Sequence, residues 1–270
     1  MVRLLISSVN QNPEKLIKKM NISTDAIIVN QCDRDDFEII NTGKSKINIY
    51  HKNERGVGKS RNLCIEKSIE IGSKEDICLF SDEDIVYDDN YEEIIENAFK
   101  NHPEAKMLLF NVRVTQQRRT YWNEGYKKIN RFNCGRYPAY SIAVRQDVLK
   151  NRKLKFSELF GGGAKYSNGE DSLFLINSIK KNVEIYAIDS VIGSEEYRES
   201  TWFKGYTEKF FYDRGVLFAF LYGNAAYIWA LRFILVKKEM FKGDIKRKQA
   251  LRLLLKGIRR GKIESEKEKM

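Results

Sequence analysis

Short apolar runs alternate with segments of helical period through the first half of this chain, and that alternation constrains its fold more than any other feature. Residues 4–9, 26–29, 47–50 and 77–80 read as strands, being apolar, short and bounded by polar turns. Residues 13–20, opened by Pro13, 58–71, closed by Gly72, and 91–100 read as helices. Further strands are expected at 106–115, at 139–145 with a helix start at Gln146-Asp147, and at 183–188. This order predicts the α/β class: a Rossmann-like, mostly parallel central sheet with helices on both faces, whose ligands bind outside the carboxyl ends of the strands. The 270 residues can form one large domain or a domain with a smaller module, and 42% hydrophobic residues with only 3 prolines argue against long disordered linkers.

Chemistry concentrates where the strand at 77–80 ends, in Ser81-Asp82-Glu83-Asp84. Neighbouring carboxylates at the exit of a buried strand repel one another and lose hydration, a cost that a cation or a metal-bound phosphate offsets. Asp-x-Asp there suits Mg2+ or Mn2+, which take oxygen ligands and keep substrate phosphates in their shell. The competing reading is an acidic turn that opens the next helix. Gly56-Val57-Gly58-Lys59-Ser60 is not a P-loop, because Asn53 stands where that motif requires glycine. It remains a donor-rich helix start beside Lys59 and Arg61, which suits a diphosphate. Gly161-Gly162-Gly163 precedes Gly169-Glu170-Asp171, a glycine turn that sets two carboxylates at the start of an apolar helix running to about 181. Simple capping competes there with a proton-transfer role.

Charge and cysteines narrow the setting. Residues 237–270 hold 13 Lys/Arg against 5 Asp/Glu, so most of the net charge of +11 lies in this tail. Just before it, residues 215–236 approach the length of a membrane span but are interrupted by Gly223-Asn224 and Arg232. An interfacial helix followed by basic amphipathic sequence fits attachment to an anionic membrane surface, and a core helix packed on the main domain is the alternative. Cys32, Cys64, Cys78 and Cys134 are scattered and the chain has 2 histidines, which argues against a zinc site or a disulfide framework and for a reducing compartment. The apolar run at 4–9 is too short for a signal-peptide core.

The ordered set of motifs resembles the GT-A glycosyltransferases of family 2 over residues 3–190. The opening strand at 4–9, the run from Asn53 to Asn62, Asp82-Glu83-Asp84 as the D-x-D, and Phe160-Gly161-Gly162-Gly163 with Gly169-Glu170-Asp171 carry the likeness. The resemblance implies a nucleotide-diphosphate-sugar donor, with UDP favoured, a divalent cation (Mn2+ or Mg2+), and transfer with inversion. It implies that Asp171 takes the acceptor proton and Glu170 orients the acceptor. Asp84 and Asp82 are implied as metal ligands, and Ser7, Val9, Asn30, Lys59, Arg61, Asp82 and Glu83 as the donor site. Two departures stand out: Asn30-Gln31-Cys32-Asp33 replaces the family's Asp-Asp-Gly-Ser type segment, leaving Asn30 to read a uracil edge, and Glu195, Glu196 or water must replace a late metal-binding histidine.

The expectation is therefore a GT-A domain at 1–195 and a helical basic extension at 196–270, whose segment 197–204 could frame an acceptor pocket. The expected reaction is glycosyl transfer to a glycan or lipid-linked oligosaccharide of a surface polysaccharide, at the inner face of the cell membrane, with no nucleic acid as partner. The competing classes are a non-catalytic basic module for nucleic acid or an assembly partner, and a metal-dependent nucleotidyltransferase.

Overall fold

The structure is a computed structural model that describes residues 1–43, 45–196, 205–241 and 245–267, so the expected acceptor segment 197–204 lies outside the described residues. Its strands are β1 (Val2–Val9), β2 (Asp25–Gln31), β3 (Asp36–Thr42), β4 (Ser45–Lys52), β5 (Ile77–Asp82), β6 (Ile85–Tyr87), β7 (Met107–Arg113), β8 (Lys127–Lys128), β9 (Ile142–Arg145) and β10 (Ile185–Glu195). The helices are α1 (Pro13–Lys19), α2 (Val57–Ile71), α3 (Tyr91–Asn101), α4 (Gln146–Asn151), α5 (Glu170–Lys180), α6 (Glu208–Tyr222), α7 (Ala226–Val236) and α8 (Arg247–Lys267). All strands join one sheet in the order β3-β4-β2-β1-β5-β9-β7-β10-β6, with β8 added to β10. The β4-β2-β1-β5 stretch and the β7-β10 pair are parallel, while β9 runs antiparallel between them.

The continuous apolar runs follow from burial on both faces. In β1, Leu4 and Ile6 pack with Leu16 of α1 and with Ile95 and Phe99 of α3, whereas Leu5 turns to the other core with Cys64, Phe80 and Phe174. Each such fully buried Leu or Ile contributes roughly 1.5–3 kcal/mol relative to exposure. The sheet holds three strands that the sequence reading did not anticipate. β3 is an edge strand whose Phe37 and Ile39 are exposed, so it lacks an apolar run; β6 has only 3 residues, and β8 has 2, both lysines, within the irregular 116–136 excursion. β10 continues past the apolar stretch at 183–188 as far as Glu195, because its second half pairs with β6.

The C-terminal helices are docked to the α/β body. Val216 and Leu217 of α6 belong to the main core, and Gly257 and Gly261 let α8 press against α6: a Cβ at Gly257 would lie 2.1 Å from the Tyr212 carbonyl oxygen. Glu264 of α8 accepts from Lys165 at 2.5 Å, Tyr166 at 2.6 Å and Arg260 at 2.8 Å. The stretch Glu208–Val236 is long and apolar enough to cross a membrane by length and composition, with a mean hydropathy of 1.4. Its halves differ: α6 is largely buried, while α7 exposes Ile228, Leu231, Leu235 and Val236.

Candidate functional site

A cleft opens at the carboxyl ends of β1, β2 and β5, where ligands of parallel sheets are held. The parallel register sets Ser7 of β1 beside Asp82 of β5, and Val9 beside Gln31 of β2. Ser7, Val9, Gln31, Asp82, Glu83 and Asp84 all face the cleft. Glu83 is buried and accepts the Val9 backbone N–H at 2.6 Å, so it fixes the end of β1. Asp84 is buried as well, and its carbonyl oxygen accepts the Glu196 N–H at 2.7 Å, which ties the acidic turn to the end of β10.

Arg61 is the hub of the site. It projects from α2, 3% exposed, and its guanidinium donates to Asp82 at 2.8 Å, to Asp171 at 2.9 Å and to Glu170 at 3.2 Å. One planar cation with several fixed donors can bridge carboxylates from three places in the sequence, which an ammonium cannot do. The three acidic partners hold its proton more firmly than usual, in spite of burial that acts the other way. The two motifs some ninety residues apart thus meet through the intervening arginine.

Glycines bring Glu170 and Asp171 to that position. Gly169 has φ +116°, and a Cβ there would sit 2.5 Å from the Leu217 side chain of α6. Gly161 has φ +105° and faces Val57 and Glu170 at 2.5 and 2.8 Å from its missing Cβ. The N–H of Val57 donates to the Gly162 carbonyl at 2.9 Å, locking the glycine loop onto the start of α2. Gly169→Ala is therefore expected to combine left-handed strain of about 1–2 kcal/mol with displacement of Leu217. Its turnover should fall at least tenfold with donor affinity retained, as measured by steady-state rates beside a binding titration.

Burial, reinforced by Glu170 and opposed by Arg61, pushes the Asp171 carboxyl up to about 8 from its ordinary value of 3.8. Between those two pH values the folded protein keeps a proton that the unfolded chain has released, so the Asp171 contribution to stability declines as pH rises toward 8. The basic form gains population over the same range. A reaction that uses Asp171 as base is expected to accelerate as pH rises through about 8 and then level off. A pH profile of kcat/KM, with its rising limb compared between the wild type and Asp171→Asn, checks this.

Two expected donor residues are not brought to the cleft surface. Lys59 pairs with Glu54 at 3.6 Å and lines a separate groove on the outer side of α2. Asn30 is buried, with its side chain accepting from Gln11 N–H at 3.0 Å and donating to the Gln11 carbonyl at 2.8 Å, so it holds the turn after β1. Gln31, the next residue, faces the cleft instead. Sequence reasoning missed Gln31, Arg118 and Tyr140. Arg118 comes from the irregular 116–136 excursion and meets Glu195 at 2.6 Å across the cleft.

Among the described residues, Asp82, Glu83, Asp84, Glu170 and Glu195 thus supply 5 carboxylates to the cleft lining, against 2 guanidinium groups from Arg61 and Arg118. A diphosphate brought into that field needs added positive charge. Carboxylate oxygens suit Mg2+ or Mn2+, which are held by one or two carboxylates together with substrate phosphates and water; among the described residues no group of three or more His, Cys, Asp or Glu is placed to hold a metal ion by itself.

No family model and no curated protein matches this sequence. The fold does match solved structures. S. aureus TarS 1–349 superposes with a TM-score of 0.53 at 15% identity, over 96% of this chain and 71% of that one. The same segment in complex with UDP-GlcNAc gives 0.56 at 15% identity, over 96% and 72%. A further TarS crystal structure gives 0.52 at 16% identity, over 96% and 43%. The chain therefore has a GT-A glycosyltransferase-like fold, with a mostly parallel central sheet and C-terminal helices.

Proposed function

We propose that this protein is an inverting, metal-dependent glycosyltransferase that moves a sugar from a nucleotide-diphosphate-sugar, with UDP as the favoured nucleotide, to a hydroxyl of a glycan or lipid-linked oligosaccharide. The observation that carries the reading is the meeting of Asp82 with Glu170 and Asp171 on one buried arginine, at the carboxyl ends of the parallel strands. The UDP-GlcNAc complex of the structurally similar TarS supports the choice of donor class.

In this reading Asp82 and Asp84 would hold a divalent cation, which would supply positive charge to the leaving nucleoside diphosphate. Ser7, Val9 and Gln31 line the donor side of the cleft. Asp171 accepts the proton of the acceptor hydroxyl as its oxygen forms the new bond to the anomeric carbon and the bond to the diphosphate breaks on the opposite face. Glu170 orients the acceptor. Arg61 holds both carboxylates in place and keeps Asp171 from being a still weaker acid.

Thermal-shift titrations with nucleotide-sugars, with and without Mn2+, test the reading, since a ligand at 100 times Kd stabilises the native state by about 2.7 kcal/mol. A rise in melting temperature with UDP-sugar that requires Mn2+, followed by slow donor hydrolysis without acceptor, is the expected result. No shift with any nucleotide-sugar would overturn it.

Attachment to the inner membrane face and a place in surface polysaccharide synthesis belong to the same proposal. They rest on the exposed apolar side chains of α7, where Ile228 is 71% exposed, beside the Lys/Arg-rich segment 237–270. Replacing Ile228, Leu231 and Leu235 together by serine is expected to abolish co-sedimentation with phosphatidylglycerol vesicles while leaving the melting temperature within a few degrees.

A further inference from the structure

We propose that the cavity between the 131–136 loop and the α6–α7 corner is a subsite for a negatively charged stretch of the acceptor glycan. The inference rests on the glycosyltransferase reading and deepens it. The cavity has a volume of about 310 Å³, and its lining includes Arg131, Phe132, Arg136, Ser172, Tyr222 and Trp229.

Its chemistry is the reverse of the donor cleft. The lining contains 2 arginines and not one carboxylate. Trp229 and Tyr222 stack with ring centroids 4.4 Å apart and planes inclined by 12°, forming a flat aromatic wall. Phe132 is 73% exposed, and the Arg131 guanidinium lies 4.7 Å over its ring. Sugar rings present C–H faces that pack on such surfaces, and guanidinium groups take phosphate or carboxylate oxygens in pairs.

Its position joins it to the reaction. Successive residues of a helix turn by about 100°, so Glu170 and Ser172 in the first turn of α5 point to nearly opposite sides. Glu170 lines the donor cleft and Ser172 lines this cavity, with Asp171 between them. A Cβ on Gly135 would lie 3.8 Å from the Ser172 hydroxyl, so the loop rests against that turn. A chain seated in the cavity meets Ser172, the residue that follows the proposed base Asp171 in the sequence. The C-terminal helices, through Tyr222 and Trp229, supply one wall of this subsite.

Fluorescence titration at low salt with size-matched oligogalacturonate, phosphorylated dextran and neutral dextran tests the proposal, the first two separating a carboxylate from a phosphate source of charge. The wild type is expected to bind at least one anionic oligomer tenfold or more tightly than neutral dextran. The exposed double variant Arg131→Ala/Arg136→Ala should lose that preference at an unchanged melting temperature. Equal binding of charged and neutral oligomers, or full retention of the preference by the double variant, would overturn the subsite. So would tighter binding of a single-stranded oligonucleotide that the same variant abolishes. Donor hydrolysis by the wild type is measured in parallel: turnover without anionic-glycan binding sinks the subsite alone, whereas charge-selective binding without turnover sinks the transferase reading.

Discussion

Asp171→Asn is expected to lower glycosyl transfer by about 10²–10⁴-fold while leaving nucleotide-sugar affinity within about twofold. Asparagine keeps the size of the side chain but cannot take a proton at neutral pH. The proposed donor side, lined by Ser7, Val9, Gln31 and the acidic turn, does not include Asp171. The same substitution should raise the melting temperature near pH 8, because the wild-type carboxylate is held in a site that favours its protonated form. Loss of activity together with a gain in stability is what a strained functional group produces and a structural residue does not. Near-native turnover would remove Asp171 as the base.

Arg61→Met should be the most damaging single change to the fold around the site. Methionine fills a similar volume but leaves Asp82, Glu170 and Asp171 facing one another without their common partner, at a position only 3% exposed. Removing one member of a buried charge network costs about 3–5 kcal/mol, which denaturant titration at neutral pH would report. Arg61→Lys keeps the charge but presents a point cation where a planar fork is needed, so an intermediate loss is expected. If Arg61→Met unfolds at the wild-type denaturant concentration, the network has no role in holding the two halves of the site together.

Much of this was legible locally, because each signal sat inside a few residues. The acidic turn was visible as charge placed straight after a buried run, and Gly169-Glu170-Asp171 as a glycine break before an apolar helix. What local reading could not supply was orientation. Lys59 and Arg61 looked equivalent as neighbouring cations, yet two positions along α2 rotate the side chains by about 200°, so Arg61 points into the core and Lys59 to the outer groove. Asn30 and Gln31 likewise alternate across β2, and the strand register turned Gln31 into the cleft and Asn30 toward the turn after β1. Arg118 could not be anticipated, since it arrives from the irregular 116–136 excursion, while Tyr140, expected inside a strand at 139–145, sits instead in the 3-10 turn Ala139–Ser141 that leads into β9. The edge strand β3 escaped notice for a related reason: half exposed, it carries no continuous apolar run.

The seat of α6 and α8 on the α/β body has one more consequence. Leu217 occupies the space over Gly169, and Glu264 near the far end of α8 holds Lys165 and Tyr166 in the loop that follows the glycines. The loop that leads to Glu170 and Asp171 is therefore braced from behind by the last helix of the described chain. Heating or denaturant should melt sheet and helices in one cooperative transition, and a protease cut within 197–204 should leave two fragments that stay associated. A polypeptide ending at 195 would lose that brace and expose the core surface that Val216 and Leu217 cover. In this chain the basic extension is a structural member of the fold, and its surface chemistry can evolve only within the limits set by the 161–169 glycine loop it supports.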